Sequence, residues 1–172
     1  MLSLENVADA QRHGGRFLRR HEATGFERDG RHLRAVRVRN TETGETAVYA
    51  GLQFVIAAGG WSGRVAALAG CRADLLLSKG TLLVTQSRLT KRVINRLRGP
   101  GDGDILVPGG SVSILGTTSV PVADPDDNTP TIAEVDANLS EALPLLPGLA
   151  TTPFRRAYAG IRPLVRAAGA SG

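Results

Sequence analysis

Several residue types that build specialised sites are scarce in this chain of 172 residues. A single cysteine, Cys71, excludes an internal disulfide and any cysteine cluster for zinc or iron and sulfur that this chain alone could build. Aromatic residues make up 4% of the sequence, too few for rows of base-stacking side chains. No apolar run approaches the roughly 18 residues needed to span a bilayer. These scarcities argue against a metal centre, a nucleic-acid surface and a membrane-spanning helix.

Lysine is also rare, although the formal net charge is +5. The charge comes from arginines scattered along the chain, and only Lys79 and Lys91 are lysines. The densest arginine group surrounds Val36 and Val38 with the period of two that half-buried strands show. We therefore expect a solvated strand face, and no nucleic-acid partner, from Arg31, Arg34, Arg37 and Arg39. Three histidines in the polar first quarter lack metal-ligand spacing, and we expect surface side chains from His13, His21 and His32.

The first half of the chain favours one short helix followed by strands. Leu4 and Val7 recur at helical spacing before Gly14 and Gly15, which are typical of a helix end. Alternation and turn residues predict strands at 17–18, 33–38 and 45–49, with a turn at Asp29-Gly30. The apolar run QFVIAAGG, residues 53–60, predicts a strand buried on both faces.

The second half predicts an antiparallel sheet and a helix. KGTLLVTQ, DILVP and SVSILGTT read as short strands separated by glycine and proline turns. Thr131 and Glu134 have the spacing of a capping box. A single apolar helix face is expected to follow, formed by Ile132, Val135, Leu139 and Leu143. We interpret the acidic loop VADPDDNTP, residues 122–130, as an exposed connection. The fold class is therefore α/β (α+β).

The segment AGGWSG, residues 58–63, resembles a dinucleotide-binding fingerprint with alanine in place of the first glycine. No second strand ending in an acidic residue follows at the expected distance, because Asp74 precedes an apolar run. Small residues at a strand end still let a ligand approach the backbone, and a following helix start offers N–H groups to an anion. The alternative is a tight strand-to-helix turn in which Trp61 is a core anchor.

An arginine stands among small and apolar residues in AYAGIRPLV, residues 157–165. The guanidinium of Arg162 could grip a carboxylate or a phosphate with two parallel hydrogen bonds. Tyr158 lies four residues earlier, on the same face of an extended segment, and its hydroxyl could be a second donor. The alternatives are an arginine on a solvated sheet edge and a satisfied core tyrosine.

Taken together, these segments resemble the FAD-dependent glycerol-3-phosphate dehydrogenases, most closely the large catalytic subunit of the anaerobic type. The specific part is RVINRLRGPGDGDILVPGGSVSILGTTS with the preceding SKGTLLV. VRVRNTETGET and DDNTPTIAEVDANL add to it, whereas VIAAGGW and AGIRP occur in the wider family of amine and hydroxy-acid flavin oxidoreductases.

The resemblance implies an enzyme that oxidises glycerol 3-phosphate to dihydroxyacetone phosphate with FAD. It implies electron transfer to a membrane quinone through iron–sulfur and membrane-anchor subunits, and a cytoplasmic location with peripheral contact to the inner face of the cell membrane. Arg162, with Tyr158, would bind the substrate. The positions near FAD would be Ala23, Ala57, Ala58, Gly59 and Trp61. Residues 1–75 would be part of a Rossmann-like FAD domain, and residues 76–172 a substrate domain.

The chain also departs from the family pattern. Leu82 stands where the aerobic type carries an active-site histidine, and the sequence names no general base. Neither the GxGxxG segment that cradles the FAD pyrophosphate nor the later glycine-rich segment with a substrate-contacting lysine is present. We therefore expect an interior piece of a larger enzyme that by itself neither holds FAD tightly nor turns over substrate. Two alternatives are an amino-acid or hydroxy-acid oxidoreductase and a non-catalytic binding module.

Overall fold

A computed structural model of the chain describes residues 2–96, 99, 103 and 105–165. Within these residues, three α-helices and nine strands follow one another along the chain. The helices are α1 (Leu2–Arg12), α2 (Ser62–Leu68) and α3 (Ile132–Ala142). The strands are β1 (His21–Asp29), β2 (His32–Asn40), β3 (Thr46–Ala50), β4 (Leu75–Thr85), β5 (Ile94–Asn95), β6 (Ile105–Gly109), β7 (Val112–Gly116), β8 (Val120–Val122) and β9 (Phe154–Val165). The predicted mixture of helices and mostly antiparallel sheet is confirmed, and in the described part of the chain no helix is long and apolar enough to cross a membrane.

The chain forms two compact units that interleave in sequence. The first comprises Met1–Ala57 and Arg64–Arg72, and the second comprises Ala58–Gly63 and Ala73–Gly172. The assignment of residues 1–75 and 76–172 to a cofactor domain and a substrate domain stays a prediction.

The first unit contains α1 and a three-stranded antiparallel sheet in the order β1-β2-β3. Gly30, with a φ of +58°, makes the turn between β1 and β2, as the Asp-Gly pair predicts. The four predicted surface arginines are exposed, which confirms the solvated face. Phe26 of β1 contacts Phe54 edge to face, with ring centroids 5.8 Å apart.

Two predicted strands are wrong. Residues 17–18 are irregular, and β1 begins only at His21. Residues 53–58 also form no strand, and Leu52 and Val55 in this region are 98% and 89% exposed. A strand needs a hydrogen-bonded neighbour, and no described strand pairs with this segment. An apolar run alone therefore predicted a buried strand that has no sheet to join here.

The second unit is organised around β4, which pairs along both of its edges. One edge pairs with β9 over the whole length of β4, from Leu75 opposite Val165 to Thr85 opposite Phe154. The other edge is shared, because residues 82–84 pair with β7 and residues 77–79 pair with β8. The loop 117–119 crosses this edge between β7 and β8, beside the middle of β4. All of these pairings are antiparallel, and β6 and β5 extend the sheet beyond β7.

Helix α3 covers one face of this sheet with most of the face that its apolar periodicity predicts, and Ile132 is the exception. Ile132 is 82% exposed, whereas Val135, Leu139 and Leu143 do pack on the core. The buried positions of the helix include two polar residues, Glu134 and Asn138. The core beneath α3 consists of Leu83, Leu106, Leu115, Ala142 and Leu149. The predicted capping box between Thr131 and Glu134 is confirmed.

Aspartate substitutions at two positions of α3 test this orientation. Ile132→Asp should change the free energy of unfolding by less than about 0.5 kcal/mol, because the side chain is exposed and a negative charge suits a helix N-terminus. Val135→Asp should lower it by about 3 kcal/mol, because an unpaired carboxylate would enter the core. Urea unfolding followed by the fluorescence of Trp61 measures both, since the only tryptophan lies in the second unit. Equal losses for the two variants would contradict the orientation.

Candidate functional site

Arg162 lies in the middle of the β4–β9 pair, directly opposite Ser78 of β4. Its guanidinium is half-buried and makes two hydrogen bonds to the loop that crosses the other edge of β4. Nη2 donates to Oγ1 of Thr117 over 2.9 Å, and Nη1 donates to the carbonyl oxygen of Thr118 over 3.3 Å. Among the described residues it forms no ion pair, so its charge is available to an anion.

Gly80 provides the surface on which the guanidinium lies. A Cβ atom at Gly80 would stand 2.6 Å from Cζ of Arg162 and 2.7 Å from Oγ1 of Thr117. The residue opposite on β9 is also a glycine, Gly160, but nothing lies within 4 Å of a Cβ built there. The absence of a side chain at Gly80 therefore makes room for Arg162. At Gly160 a side chain would have open space, so glycine is not needed there to accommodate a neighbour.

The hydroxyl groups of Ser78 and Ser119 and the phenol of Tyr158 lie on the same face of the sheet as Arg162. Ser78, buried opposite Arg162, shares a 2.9 Å hydrogen bond with the hydroxyl of Ser119. Tyr158 is half-buried, and the guanidinium of Arg156 lies 5.3 Å from the centre of its ring. The Tyr158 hydroxyl makes no hydrogen bond to a described residue, so the predicted role as a second donor stays a prediction.

The segment 58–61 lies on the opposite side of β9 from the guanidinium. Gly59–Trp61 forms one 3-10 turn, and the Cγ2 methyl group of Ile161 would be 3.2 Å from a Cβ at Gly60. Trp61 is 39% exposed, and its Nε1 donates to Oδ1 of Asp126 over 2.9 Å, so it is not a core anchor. The structure therefore brings Ala58, Gly59 and Trp61 beside the strand of Arg162 without contact to its guanidinium.

The other two predicted cofactor residues belong to the first unit. Ala23 is half-buried in β1 opposite Val38, and Ala57 is exposed. Their proposed proximity to FAD stays a prediction. In the described residues, no group of three or more histidine, cysteine, aspartate or glutamate side chains could hold a metal ion.

On the opposite face of β4, Glu134 is the centre of a buried polar network. The carboxylate, 6% exposed, accepts a hydrogen bond from Oγ1 of Thr81 over 3.0 Å and one from the backbone N–H of Thr131 over 2.8 Å. Nζ of Lys79 lies 3.1 Å from its other oxygen. Lys79 and Thr81 flank Gly80, so this network holds the strand directly beneath Arg162.

The network continues across the strand to Arg162 itself. The backbone N–H of Thr81 donates to Oγ1 of Thr118 over 2.9 Å. The carbonyl oxygen of Thr118 in turn accepts a hydrogen bond from Arg162. Nδ2 of Asn138 donates to the carbonyl oxygen of Thr81 over 2.9 Å. Sequence reasoning missed this part of the site. The capping box predicted the contact of Glu134 with Thr131, but no local pattern links Glu134 to β4.

Most residues of the acidic loop 122–130 are exposed, as predicted, but the loop also binds Lys79. Pro125 is buried, and its Cβ would be 3.2 Å from a Cβ at Gly60. Asp127 lies 3.4 Å from Nζ of Lys79, and the carbonyl of Thr129 accepts from the same ammonium group. The loop therefore closes over Lys79, which is 4% exposed, rather than only connecting β8 to α3.

Burial and pairing act in opposite directions on the two charged groups of the network. Burial alone would raise the pKa of Glu134, but the Thr131 N–H, Lys79 and Thr81 together hold it below 4.5. Burial alone would lower the pKa of Lys79, but Glu134 and Asp127 raise it above 10.5. Both groups are therefore charged at neutral pH.

A family model described as "FAD dependent oxidoreductase" (DAO) matches residues 2–170, nearly the whole chain. The chain belongs to the FAD-dependent oxidoreductase family. Curated relatives of this chain include one subunit of the anaerobic glycerol-3-phosphate dehydrogenase of Escherichia coli, which is 45% identical over 95% of the chain. The corresponding subunit of Haemophilus influenzae is 36% identical over 95% of the chain, and that of Haloferax volcanii is 33% identical over 98%. The chain spans about 31% of the length of the E. coli subunit.

Solved structures show the same fold. A glycerol-3-phosphate dehydrogenase from Bacillus halodurans, complexed with FAD, matches 96% of this chain with a TM-score of 0.78 and 24% identity, and the match covers 35% of that protein. A glycine oxidase from Bacillus cereus matches 91% of the chain with a TM-score of 0.69 and 21% identity, over 41% of that protein. The fold of this chain therefore recurs in both of these proteins.

The Lys79–Glu134 pair gives this chain a defined pH dependence of stability. The pKa of Glu134 is lowered, so its contribution is complete above pH 4.5 and is lost as the pH falls through the folded value. The pKa of Lys79 is raised, so its contribution is complete below pH 10.5 and is lost as the pH rises through the folded value.

Glu134→Gln should lower the free energy of unfolding at pH 7 by about 3–5 kcal/mol, because Lys79 loses its buried partner. The variant should also show a smaller decrease in the free energy of unfolding between neutral and acid pH than the wild type.

Asp136→Asn is the matched control, because Asp136 is exposed on the same helix. Urea unfolding at a series of pH values, followed by Trp61 fluorescence, gives the comparison. Identical acid profiles for wild type and Glu134→Gln would contradict the role of this carboxylate.

Proposed function

We propose that this chain is the part of an FAD-dependent sn-glycerol-3-phosphate dehydrogenase that binds the phosphate of the substrate. The observation that carries the proposal is the guanidinium of Arg162, half-buried, fixed by two hydrogen bonds and without an ion-pair partner among the described residues. The identities of 33–45% to subunits of anaerobic glycerol-3-phosphate dehydrogenases support the choice of substrate.

The residues present are compatible with a bound flavin. Gly59 has a φ of +54°, is exposed, and would have no atom within 4 Å of an added Cβ. Together with the small side chain of Ala58, this leaves the backbone open to close approach by a flat ring. When bound, FAD accepts the hydride that leaves C2 of glycerol 3-phosphate.

Arg162 would then orient the substrate by its phosphate. Two parallel N–H groups of a guanidinium match two phosphate oxygens, which fixes both the position and the direction of the substrate. The hydroxyls of Tyr158 and Ser119 lie on the same sheet face and would supply further donors. The proton that leaves the C2 hydroxyl requires a base, and we assign this role to none of the residues in this chain.

The same relatives support a proposal about the other subunits of the enzyme. The E. coli relative is one subunit of its enzyme, which implies that other subunits exist. We propose iron–sulfur and membrane-anchor subunits that pass electrons to a quinone. The location would be the cytoplasm, with peripheral contact to the inner face of the cell membrane. Residues 1–75 would contribute to the FAD domain and residues 76–172 to the substrate domain.

An amino-acid or hydroxy-acid oxidoreductase is the second candidate, because a guanidinium binds carboxylates with the same two-bond geometry. A substrate panel separates the two. The hybrid enzyme for this assay is the E. coli subunit in which the matched segment is replaced by residues of this chain. Oxidation of glycerol 3-phosphate but not of glycine, sarcosine or 2-hydroxyglutarate is expected, and the reverse pattern would contradict the proposed substrate.

Arg162→Lys in the hybrid enzyme tests the role of the guanidinium. We expect KM for glycerol 3-phosphate to rise about tenfold or more, because a two-bond grip becomes a point charge and a charged hydrogen bond contributes about 1.5–3 kcal/mol. Arg155→Lys on the same strand is the control, since Arg155 is exposed and makes no contact of this kind. Bound flavin per chain reports correct folding. An unchanged KM for Arg162→Lys would contradict a role of this guanidinium in substrate binding.

A further inference from the structure

Gly80 and Thr117 are the two residues that restrict the guanidinium of Arg162. Gly80 lies beneath it, and the Thr117 hydroxyl accepts a hydrogen bond from Nη2 over 2.9 Å. The hydroxyl hydrogen of Thr117 is itself directed to the carbonyl oxygen of Thr118 over 3.2 Å. This donation leaves the lone pairs of the Thr117 oxygen to the guanidinium.

A glycine in the interior of a strand requires a reason. Glycine weakens a strand relative to alanine, and it often marks a place where another group approaches closely. At Gly80 the approaching atoms are Cζ of Arg162 and Oγ1 of Thr117, at 2.6 Å and 2.7 Å from an ideal Cβ. Both belong to the hydrogen-bonded pair described above, so a methyl group would separate its two members.

The strand beneath the guanidinium is held from its other face. Lys79 and Thr81, the neighbours of Gly80, both bind the buried carboxylate of Glu134. The same face of β4 packs against α3 through Leu83 of the core, so the strand cannot easily move toward the helix to accept a larger residue at position 80. A side chain at this position would displace Arg162 rather than the strand.

We propose that Gly80 and Thr117 are positioning residues, which fix the guanidinium of Arg162 flat against β4 so that its remaining N–H groups face an anion. The inference rests on the proposed function for the identity of that anion, a phosphate monoester. Its structural part, the restriction of Arg162, holds without any ligand. An order parameter of the Arg162 side chain measures the structural part, and enzyme kinetics measure the part that concerns the anion.

The first measurement is the order parameter of the Nε–H bond of Arg162 in the 172-residue chain, from ¹⁵N relaxation. The loss of one signal in Arg162→Lys identifies the resonance. Wild type should give a value near 0.85, which is typical of rigid groups, and Gly80→Ala and Thr117→Val should fall below about 0.6, which is typical of flexible ones. Gly160→Ala and Thr117→Ser should retain the wild-type value, because the first has open space and the second keeps the hydroxyl.

Trp61 fluorescence shows whether each variant is folded. If Gly80→Ala fails to fold, the contrast between Thr117→Val and Thr117→Ser decides, since the first replaces only the hydroxyl by a methyl group and the second removes only the methyl group. Wild-type order in both Gly80→Ala and Thr117→Val would overturn the inference. So would a flexible Arg162 in the wild-type chain.

The second measurement is steady-state kinetics of the same variants in the hybrid enzyme. Gly80→Ala and Thr117→Val should raise KM for glycerol 3-phosphate about tenfold and change kcat little, because they weaken ground-state and transition-state binding alike. Gly160→Ala and Thr117→Ser should match the parent enzyme. Increased mobility of Arg162 with an unchanged KM would overturn the positioning role. An unchanged KM in Arg162→Lys would instead reject the proposed function, and the order parameters would still decide whether Gly80 and Thr117 restrict the side chain.

Discussion

The buried carboxylate of Glu134 is the interaction on which the rest of the second unit depends. It caps its own helix through Thr131 and binds two residues of β4, Lys79 and Thr81. A buried ion pair of this kind is a weak source of net stability, because both charges must leave water. What it provides is a fixed relation between α3 and β4, since a shift of either element would leave an uncompensated charge.

That fixed relation has a consequence on the opposite face of the sheet. β4 is bonded by β9 along one edge and by β7 and β8 along the other, and the threonine loop 117–119 fills the gap between β7 and β8. Thr118 joins the two sides, because its hydroxyl accepts from the backbone of Thr81 and its carbonyl accepts from Arg162. A helix cap, a buried ion pair and a candidate anion site thus form one continuous network.

The sequence predicted the parts that depend on local pattern. The capping box, the antiparallel strands of the second half and the odd position of Arg162 are local features, and the structure has the first two as expected. The face of α3 was predicted less well, because hydrophobic periodicity cannot reveal that Glu134 and Asn138 find polar partners on β4. The predicted strand at 53–60 failed because pairing is a long-range property. No local sequence pattern singled out Gly80 or Thr117, because both act on the side chain of Arg162, which lies far from them in sequence.

In the proposed function, Arg162 binds the phosphate of glycerol 3-phosphate from a fixed position on β4. A crystal structure of the hybrid enzyme with glycerol 3-phosphate would locate that phosphate. We expect two phosphate oxygens within about 2.7–2.9 Å of the Arg162 guanidinium nitrogens, the range of charge-assisted hydrogen bonds, with the contact to Thr117 retained. A phosphate bound elsewhere, with the Arg162 guanidinium in contact only with water, would contradict it.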